Sequence, residues 1–371
     1  MIRSAEIPVP EDLTRRYSKS SSGRAWLASL PGLIRGRLDH WELELDLPAG
    51  AEPWNGHGAI VVPVLSSGMS AVLKVAYPHD EARVERHALA LWNGQGAVRL
   101  LDSDAGTCAM LLERLDAGRS LQDAPMETAV TVWGSLVRRL SLGPDQRAEW
   151  QEFEHVAARA ERWSDDLAAD WEQLGRPFPR WLLEAALEVC QTRGAVGRRS
   201  GKDVLVNTDF HYLNILARTG APAQPGPDDF AAIDPQPMIG EAEFAVAPLL
   251  WNRLDDLPVS DPAQGLRERC VDFSTAAGLD ADTARLWAVA REVDNALHYA
   301  ARPHHQGDLA RSLWVASTLA GSTLSGLPPA HALPAPGAGS GWAGGVSGWT
   351  GGMSGGAAGA SSQANGQPRS S

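Results

Sequence analysis

The hydrophobic pattern of the chain changes once, about a third of the way along, and this change constrains the possible folds more than any other feature. Before it, residues 41–47 alternate apolar and polar side chains. Residues 59–65 and 71–75 are short apolar runs joined by a tight turn, which is typical of an antiparallel sheet. One helical stretch, about residues 80–92, interrupts this region. After Leu121 the apolar residues recur every three or four positions, as they do in packed helices. The sequence therefore predicts an α+β fold with a small sheet-rich lobe and a larger, mainly helical lobe.

Three regions follow from this pattern. Residues 1–115 are predicted to form the N-terminal lobe and residues 116–326 the helical C-terminal lobe. Residues 327–371 are rich in Gly, Ala and Ser and nearly free of charged side chains. Such a segment cannot bury enough apolar surface to offset the entropy of ordering, so a disordered tail is predicted. Within the helical lobe, residues 203–209 and 230–235 are expected to form a short extended island.

Composition excludes several classes of protein. A chain of 371 residues with 44% hydrophobic side chains can build a sizeable core, which excludes global disorder. The three cysteines are far apart and form no CxxC pair, which excludes a small disulfide scaffold and argues against a structural zinc site. The net charge of −12 disfavours nucleic acid as a partner, because that affinity depends on Lys and Arg contacts to phosphates. No segment has the form of a membrane span or a secretory signal, so we expect a cytoplasmic protein without a membrane partner.

Lysine is nearly absent from the chain, and one lysine lies in an unusual place. Three lysines stand against 30 arginines (33 − 3), yet Lys74 lies within the apolar run of residues 71–75. A lysine in a strand is ordinarily an exposed or edge residue, but its avoidance elsewhere indicates that this ammonium has a function. An acidic partner is expected on the following helix, where Glu81 and Glu85 share one face. We choose Glu85, with a solvated helix charge as the alternative.

A second group of polar residues follows the extended island. Asp209 and Asn214 are five residues apart, which is the spacing of the D-x-x-x-x-N catalytic loop of kinases. Asp234 ends an apolar run, where a carboxylate is costly unless it binds something. Phosphoryl transfer needs a carboxylate for the attacking hydroxyl, oxygen ligands for Mg²⁺ and an ammonium for the nucleotide phosphates. Asp209 and Asn214 alone could be a capping and a turn residue. The order Lys, Glu, Asp-x₄-Asn, Asp is typical of a kinase.

Several segments resemble the aminoglycoside phosphotransferases, and most closely their streptomycin 6-kinase and hydroxyurea phosphotransferase branch. The resemblance covers roughly residues 8–320 and is carried by these segments: Glu85–Trp92, residues 96–101, residues 111–115, Asn207–Asn214 and Ile233–Pro237. It implies a bilobal, protein-kinase-like fold that uses ATP and Mg²⁺ to phosphorylate a hydroxyl of a small molecule. The expected acceptor is a cationic aminoglycoside antibiotic such as streptomycin, which would give resistance.

The resemblance also implies roles by matched position. Asp209 is expected to be the catalytic base, and Asn214 and Asp234 the metal ligands. Lys74 is expected to hold the α- and β-phosphates of ATP, and Glu85 to hold Lys74.

The nucleotide is expected to meet two further segments. Residues 113–115, from Glu113 to Leu115, match the hinge that pairs with adenine through backbone groups. The turn at Ser67 and Gly68 is expected to cover the phosphates, although it is far from a G-x-G-x-x-G loop. A second departure is Asn207, which replaces the first residue of the usual His-Gly-Asp sequence. Because Asn also donates and accepts hydrogen bonds, we expect activity to survive.

Substrate contacts are the least constrained part of the sequence. A cationic acceptor favours an acidic pocket, and Asp294 on the predicted helix 281–302 is the best candidate. His211 in the catalytic loop is expected to face the acceptor, with a buried structural role as the alternative. Two other functions stay open: a kinase for hydroxyurea or another hydroxylated metabolite, and a silent nucleotide-binding homologue. Other acidic candidates, each more simply a solvated charge, are Glu241, Glu243, Asp255 and Asp256.

Overall fold

The computed structural model describes residues 7–48, 51–194 and 202–336, without the side chains of Asp80 and Glu81. The N-terminal lobe is built on a six-stranded antiparallel sheet, in which β1-β3-β4-β6-β5 is the order and β2 also pairs with β3. Its strands are β1 (Leu43–Leu45), β2 (Trp54–Asn55), β3 (Ala59–Ser66), β4 (Met69–Ala76), β5 (Leu100–Asp104) and β6 (Ala109–Glu113).

Three helices accompany this sheet: α1 (Glu11–Tyr17), α2 (Ser21–His40) and α3 (Asp80–Trp92). Alternate residues of β4 point to opposite faces of the sheet. Leu73 and Val75 pack into one apolar cluster with Trp26 of α2, whereas Val72 joins the main core with Leu89 of α3. Since β4 pairs with β3 on one side and β6 on the other, Lys74 lies in a central strand and not at an edge.

The C-terminal lobe is mainly helical, as predicted. Its helices are α4 (Met126–Leu140), α5 (Val156–Gln173), α6 (Arg180–Arg193), α7 (Ala247–Trp251), α8 (Pro262–Ala277), α9 (Ala281–Ala300) and α10 (Gln306–Leu319). The expected extended island is present as parts of two small antiparallel sheets. These contain β7 (Leu115–Ser120), β8 (Val204–Asn207), β9 (Ile215–Arg218), β10 (Phe230–Ala232) and β11 (Pro237–Gly240). No helix within the described ranges has both the length and the apolar character needed to cross a membrane.

Two of the connections between the lobes set the position of the polar residues predicted from the sequence. Only Arg114 separates β6 of the first lobe from β7 of the second. In addition, Val98 N–H donates to the carbonyl of Ala232 at 2.8 Å, and Ala232 N–H donates to that of Gly96 at 2.9 Å. This second contact fixes the end of β10, and with it Asp234, relative to the N-terminal lobe.

The packed part of the chain extends past the predicted boundary at residue 327. Ala330 and Leu333 are buried against the helical lobe. Nη2 of Arg311 donates to the carbonyl of Pro334 at 2.6 Å, so apolar burial and a hydrogen bond both hold this segment. The rest of the predicted tail, residues 337–371, lies outside the described residues.

Candidate active site

Lys74, Glu85 and Asp234 form a group of charges between the two lobes. Nζ of Lys74 lies 2.7 Å from each carboxylate oxygen of Glu85 and 2.5 Å from Oδ1 of Asp234. Lys74 and Glu85 are only 6% and 3% exposed. Burial by itself would lower the pKa of Lys74, but the two carboxylates outweigh it and hold the pKa above its ordinary value. The ammonium therefore stays charged, and Glu85 is its helix partner.

The local structure explains why α3 delivers Glu85 to this point. The helix begins where the His79 ring accepts a hydrogen bond from Ala82 N–H at 3.3 Å, and it ends at Asn93 in the left-handed conformation. Leu89 and Trp92 bury the helix against the main core, which turns Glu85 toward the sheet. The other candidate, Glu81, lies outside the described side chains.

The catalytic loop brings Asp209 and Asn214 together. Nδ2 of Asn214 donates to the carbonyl of Asp209 at 3.0 Å and to its Oδ2 at 3.1 Å. The carbonyl of Asn214 accepts from Ile233 N–H at 2.9 Å, which ties the loop to the residue before Asp234. The five-residue spacing read from the sequence thus places the carboxylate and the amide side by side, close to Asp234.

Asn207 braces this loop. Its Oδ1 accepts hydrogen bonds from the N–H groups of Asp209 and Gln236, both at 3.1 Å. Thr208 also donates to the carbonyl of Gln236, through its N–H at 2.8 Å and its hydroxyl at 3.0 Å. One side chain therefore links the loop to the segment that follows Asp234.

Arg291 of α9 is a site residue that sequence reasoning missed. Its Nη1 donates to the carbonyl of Thr208, and its guanidinium lies 5.5 Å from the centre of the Phe244 ring. Burial lowers the pKa of Arg291 to about 10, although the charge of Asp209 opposes this shift, so the group remains a cation at neutral pH. The available signal was a charged residue within a stretch of α9, residues 287–293, that is buried throughout.

The donor set fits Mg²⁺. Asn214 is fully buried, and its Oδ1 has no hydrogen-bond partner among the described residues. The Asn214 backbone bonds to the residue before Asp234, so its unsatisfied amide oxygen and that carboxylate belong to neighbouring segments. Both are ligands that Mg²⁺ accepts, since this ion prefers oxygen ligands and usually takes only one or two carboxylates together with substrate phosphates.

The family model described as "Aminoglycoside/hydroxyurea antibiotic resistance kinase" matches residues 40–302. The chain belongs to this family. It is 35% identical to the streptomycin 6-kinase of Streptomyces glaucescens over 303 residues, which cover 80% of this chain and 92% of the relative. It is 32% identical to the hydroxyurea phosphotransferase of Kitasatospora aureofaciens over 304 residues, or 79% of this chain and 80% of that one. The predicted resemblance is confirmed, and the chain is a phosphotransferase that acts on a hydroxyl.

A solved structure supports the fold. It is a thermostable mutant of aminoglycoside phosphotransferase APH(4)-Ia in a ternary complex with ADP and hygromycin B. The TM-score is 0.50 at 13% identity, with 77% of this chain and 96% of the other covered. At this identity the likeness concerns the fold alone, and it confirms the predicted bilobal, kinase-like architecture.

In this kinase the predicted hinge residues join the two lobes. The Glu113 N–H donates to the carbonyl of Arg99 at 3.0 Å, so Glu113 can offer adenine only its carbonyl. Its carboxylate accepts from Arg99 N–H at 2.9 Å and from Arg218 Nη1 at 2.5 Å. Leu115 begins β7 on the other side of the connection. The adenine contact itself stays a prediction.

The predicted phosphate turn at Ser67 and Gly68 is at the wrong end of the hairpin. It is an exposed turn with φ values of 49° and 77°, and it joins β3 to β4. Lys74 pairs with Val61, five residues from the Ser66–Met69 end of the ladder. At about 3.4 Å per residue, the Ser66–Met69 end lies about 17 Å along the strand from Lys74. The cause of the error is the strand register, which the sequence did not reveal.

A different turn lies on the correct side of Lys74. Residues 55–58, Asn-Gly-His-Gly, connect β2 to β3, and Trp54 of β2 pairs with Val61 directly across from Lys74. His57 interacts electrostatically with Asp234. Nη1 of Arg16 in α1 donates to the carbonyl of His57 at 2.5 Å and reaches that of Gly56 at 3.5 Å. The available signal was the pair of glycines, which lets backbone N–H groups approach a phosphate.

A cavity beside Asp209 is the candidate place for the acceptor. Its lining also contains Trp251, Asn252, Pro248, Glu292 and His211. The contact of His211 with the acceptor stays a prediction. Burial lowers the pKa of the His211 imidazole to about 4, so the ring is neutral at pH 7.

Asp294 is misplaced by the sequence analysis, because it is not among the residues that line this cavity. Each helical residue advances by about 100°, so Asp294 points away from the side of α9 that carries Glu292. It interacts with Arg159 and Trp163 of α5 instead. Glu241 is also a structural residue, because its carboxylate accepts from Arg193 at 3.0 Å and from the Trp287 indole at 2.9 Å.

Proposed function

We propose that this kinase transfers the γ-phosphate of ATP to a hydroxyl of an aminoglycoside of the streptomycin type, with Mg²⁺ as cofactor, and so confers resistance. The observation that carries the proposal is the position of Asp209. This carboxylate lines the cavity and at the same time bonds to Asn214. The carbonyl of Asn214 accepts from the residue before Asp234, and Asp234 pairs with Lys74. A streptomycin 6-kinase among the relatives supports the choice of acceptor.

Asp209 would act as the base in this reaction. The acceptor oxygen forms a bond to the γ-phosphorus while the bond from that phosphorus to the bridging oxygen breaks. The proton of the hydroxyl passes to the Asp209 carboxylate, and the electron pair leaves with ADP. Asn214 and Arg291 hold this carboxylate and its loop in position. The neutral His211 adds no positive charge next to a cationic acceptor.

The remaining charged residues would bind the nucleotide. Asn214 and Asp234 would hold Mg²⁺, which supplies neutralisation of the developing phosphate charge. The ammonium of Lys74 would contact the α- and β-phosphates, fixed by Glu85. The turn at residues 55–58, held by Arg16, would cover the phosphates with backbone N–H groups.

The proposal includes action in the cytoplasm, where ATP is at hand. The three cysteines Cys108, Cys190 and Cys270 are free, which agrees with a reducing compartment. Hydroxyurea is the second candidate acceptor, supported by the small cavity and by the hydroxyurea phosphotransferase relative.

The test is ADP release by purified protein with Mg²⁺ and a panel that contains streptomycin, other aminoglycosides and hydroxyurea. We expect streptomycin-dependent turnover that falls by about 10²- to 10⁴-fold in Asp209→Asn, the range for loss of a general base. ATP binding, measured by calorimetry, should be retained in that variant. Turnover with hydroxyurea but not with streptomycin would show that hydroxyurea is the acceptor. ATP binding without any turnover would indicate a silent homologue.

A further inference from the structure

Glu292 is a buried carboxylate that the reaction described above does not use. It follows Arg291 on α9, is 1% exposed and lines the cavity together with Asp209. Its Oε2 has no hydrogen-bond partner among the described residues. Burying such a group is costly unless a partner compensates it, so an unsatisfied carboxylate oxygen on a residue that lines a cavity points to a ligand.

The surroundings of Glu292 orient the carboxylate without neutralising it. The carboxylate lies next to the Ser312 hydroxyl and the Asn295 amide. Because Ser312 Oγ already accepts from the Trp251 indole at 2.9 Å, its own O–H is left to donate to Glu292. These neighbours hold one side of the carboxylate, while Oε2 has no hydrogen bond among the described residues.

The nearby cations are engaged elsewhere. Arg291 donates to the carbonyl of Thr208 and lies over the Phe244 ring. Arg311 donates to the carbonyls of Trp251 and Pro334. The charge of Arg291 acts to lower the pKa of Glu292, but burial outweighs this attraction. Burial raises the pKa of Glu292 to about 7, which a bound cation would reverse.

The aromatic wall cannot replace the carboxylate as a cation site. Trp251 lines the cavity, but the guanidinium of Arg311 lies 5.3 Å from its ring centre and Tyr299 stacks on it at 6.4 Å. Cation–π binding requires the face of a ring, and the contacts with Arg311 and Tyr299 already use the face of Trp251.

We propose that Glu292 binds a guanidinium or ammonium group of the acceptor and thereby presents a neighbouring hydroxyl of the same ring to Asp209. Glu292 is then the residue that favours cationic over neutral acceptors. This inference rests on the proposed function.

The test compares Glu292→Gln with Asp282→Asn. The first change keeps the shape of the side chain and removes its charge. The second removes a carboxylate from the same helix at a position where the side chain is 87% exposed. We expect Glu292→Gln to raise the KM for streptomycin by about 10- to 100-fold with an unchanged KM for ATP, as befits a buried charged contact. Asp282→Asn should behave as the wild type. If the KM for streptomycin were the same in Glu292→Gln as in the wild type, the proposal would be overturned.

A second measurement separates this inference from the proposed function. Methylguanidinium is a minimal cation that needs no phosphorylation, and its binding can be followed by calorimetry even if no aminoglycoside is turned over. We expect binding to the wild type and to Asp209→Asn, with a loss of at least tenfold in Glu292→Gln. Competition with streptomycin would locate the probe in the acceptor cavity. Absence of methylguanidinium binding to the wild type, or equal binding to Glu292→Gln, would overturn the role of Glu292 whether or not the kinase accepts streptomycin. If Glu292→Gln fails to fold, the wild-type measurement still tests the proposal, because absence of methylguanidinium binding to the wild type would overturn it.

Discussion

Lys74 and Asp234 are separated by 160 positions in the chain, yet Nζ of the first lies 2.5 Å from Oδ1 of the second. This ion pair joins the central strand of the N-terminal sheet to the segment after β10. Asp234 adopts a φ of 49°, a left-handed conformation that is uncommon outside glycine. The surrounding bonds therefore hold Asp234 in a strained position where its carboxylate reaches both Lys74 and the region of Asn214.

The pairing of Lys74 with Glu85 predicts a particular pattern of stability. Lys74→Met leaves the Glu85 carboxylate buried without its cation, which should lower the free energy of unfolding by about 3–5 kcal/mol. Replacing both residues by Met removes the stranded charge and should recover most of that loss. Urea denaturation followed by tryptophan fluorescence measures both variants. A double variant as unstable as Lys74→Met would show that the charge of Glu85 is not the cause.

Asn207 provides a second prediction, because one oxygen holds two backbone N–H groups of the catalytic loop. Asn207→Ala should lower kcat about tenfold, equivalent to about 1.4 kcal/mol or one hydrogen bond, with an unchanged KM for ATP. Asn207→His, which restores the first residue of the family's usual His-Gly-Asp sequence, should recover kcat. Steady-state kinetics on the three proteins decides this. If Asn207→Ala and the wild type had the same kcat, Asn207 would not be needed to brace the catalytic loop.

The sequence was sufficient to predict residues whose chemistry conflicts with their neighbours. Lys74 stands in an apolar strand and Asp234 at the end of an apolar run, and the structure brings both together with Asp209 and Asn214. Such conflicts are local and therefore visible without coordinates. The two lobes were predictable for the same reason, since hydrophobic periodicity is also a local property.

The residues that were missed depend on packing between distant elements. Arg291 and Glu292 look like ordinary charges on a helix until residues 287–293 of α9 are known to be buried throughout. Asp294 was preferred because polar residues follow it, but helical rotation turns it toward α5. The turn at residues 55–58 was missed because the strand register, which places it near Lys74, is set by pairing in three dimensions.

His211 predicts how stability depends on pH. Its pKa is about 4 in the folded protein, lowered mainly by burial, and about 6.5 when unfolded. Between these values the unfolded chain binds more protons, so the folded state loses stability as pH falls from about 6.5 to 4 and is unaffected above this window. The loss from this group is about 3 kcal/mol. His211→Gln should lessen the acid-induced loss, measured by urea denaturation at pH 7 and pH 4.5. The same slope in both proteins would contradict the prediction.

Substitution of Arg16 tests which of two turns covers the phosphates, residues 55–58 or the turn at Ser67 and Gly68. Its guanidinium holds the carbonyls of Gly56 and His57, so Arg16→Ala should free this turn and raise the KM for ATP by several-fold to tenfold, the equivalent of one or two hydrogen bonds. The KM for the acceptor should not change, because α1 lies on the N-terminal lobe. Arg15→Ala is the matched control, since it removes a guanidinium from the same helix that pairs with Glu11 and Asp12. Ser67→Ala tests the other turn and should leave the KM for ATP unchanged. If Ser67→Ala raised this KM and Arg16→Ala did not, the turn at Ser67 and Gly68 would be the one that covers the phosphates, and the strand register would have misled the assignment.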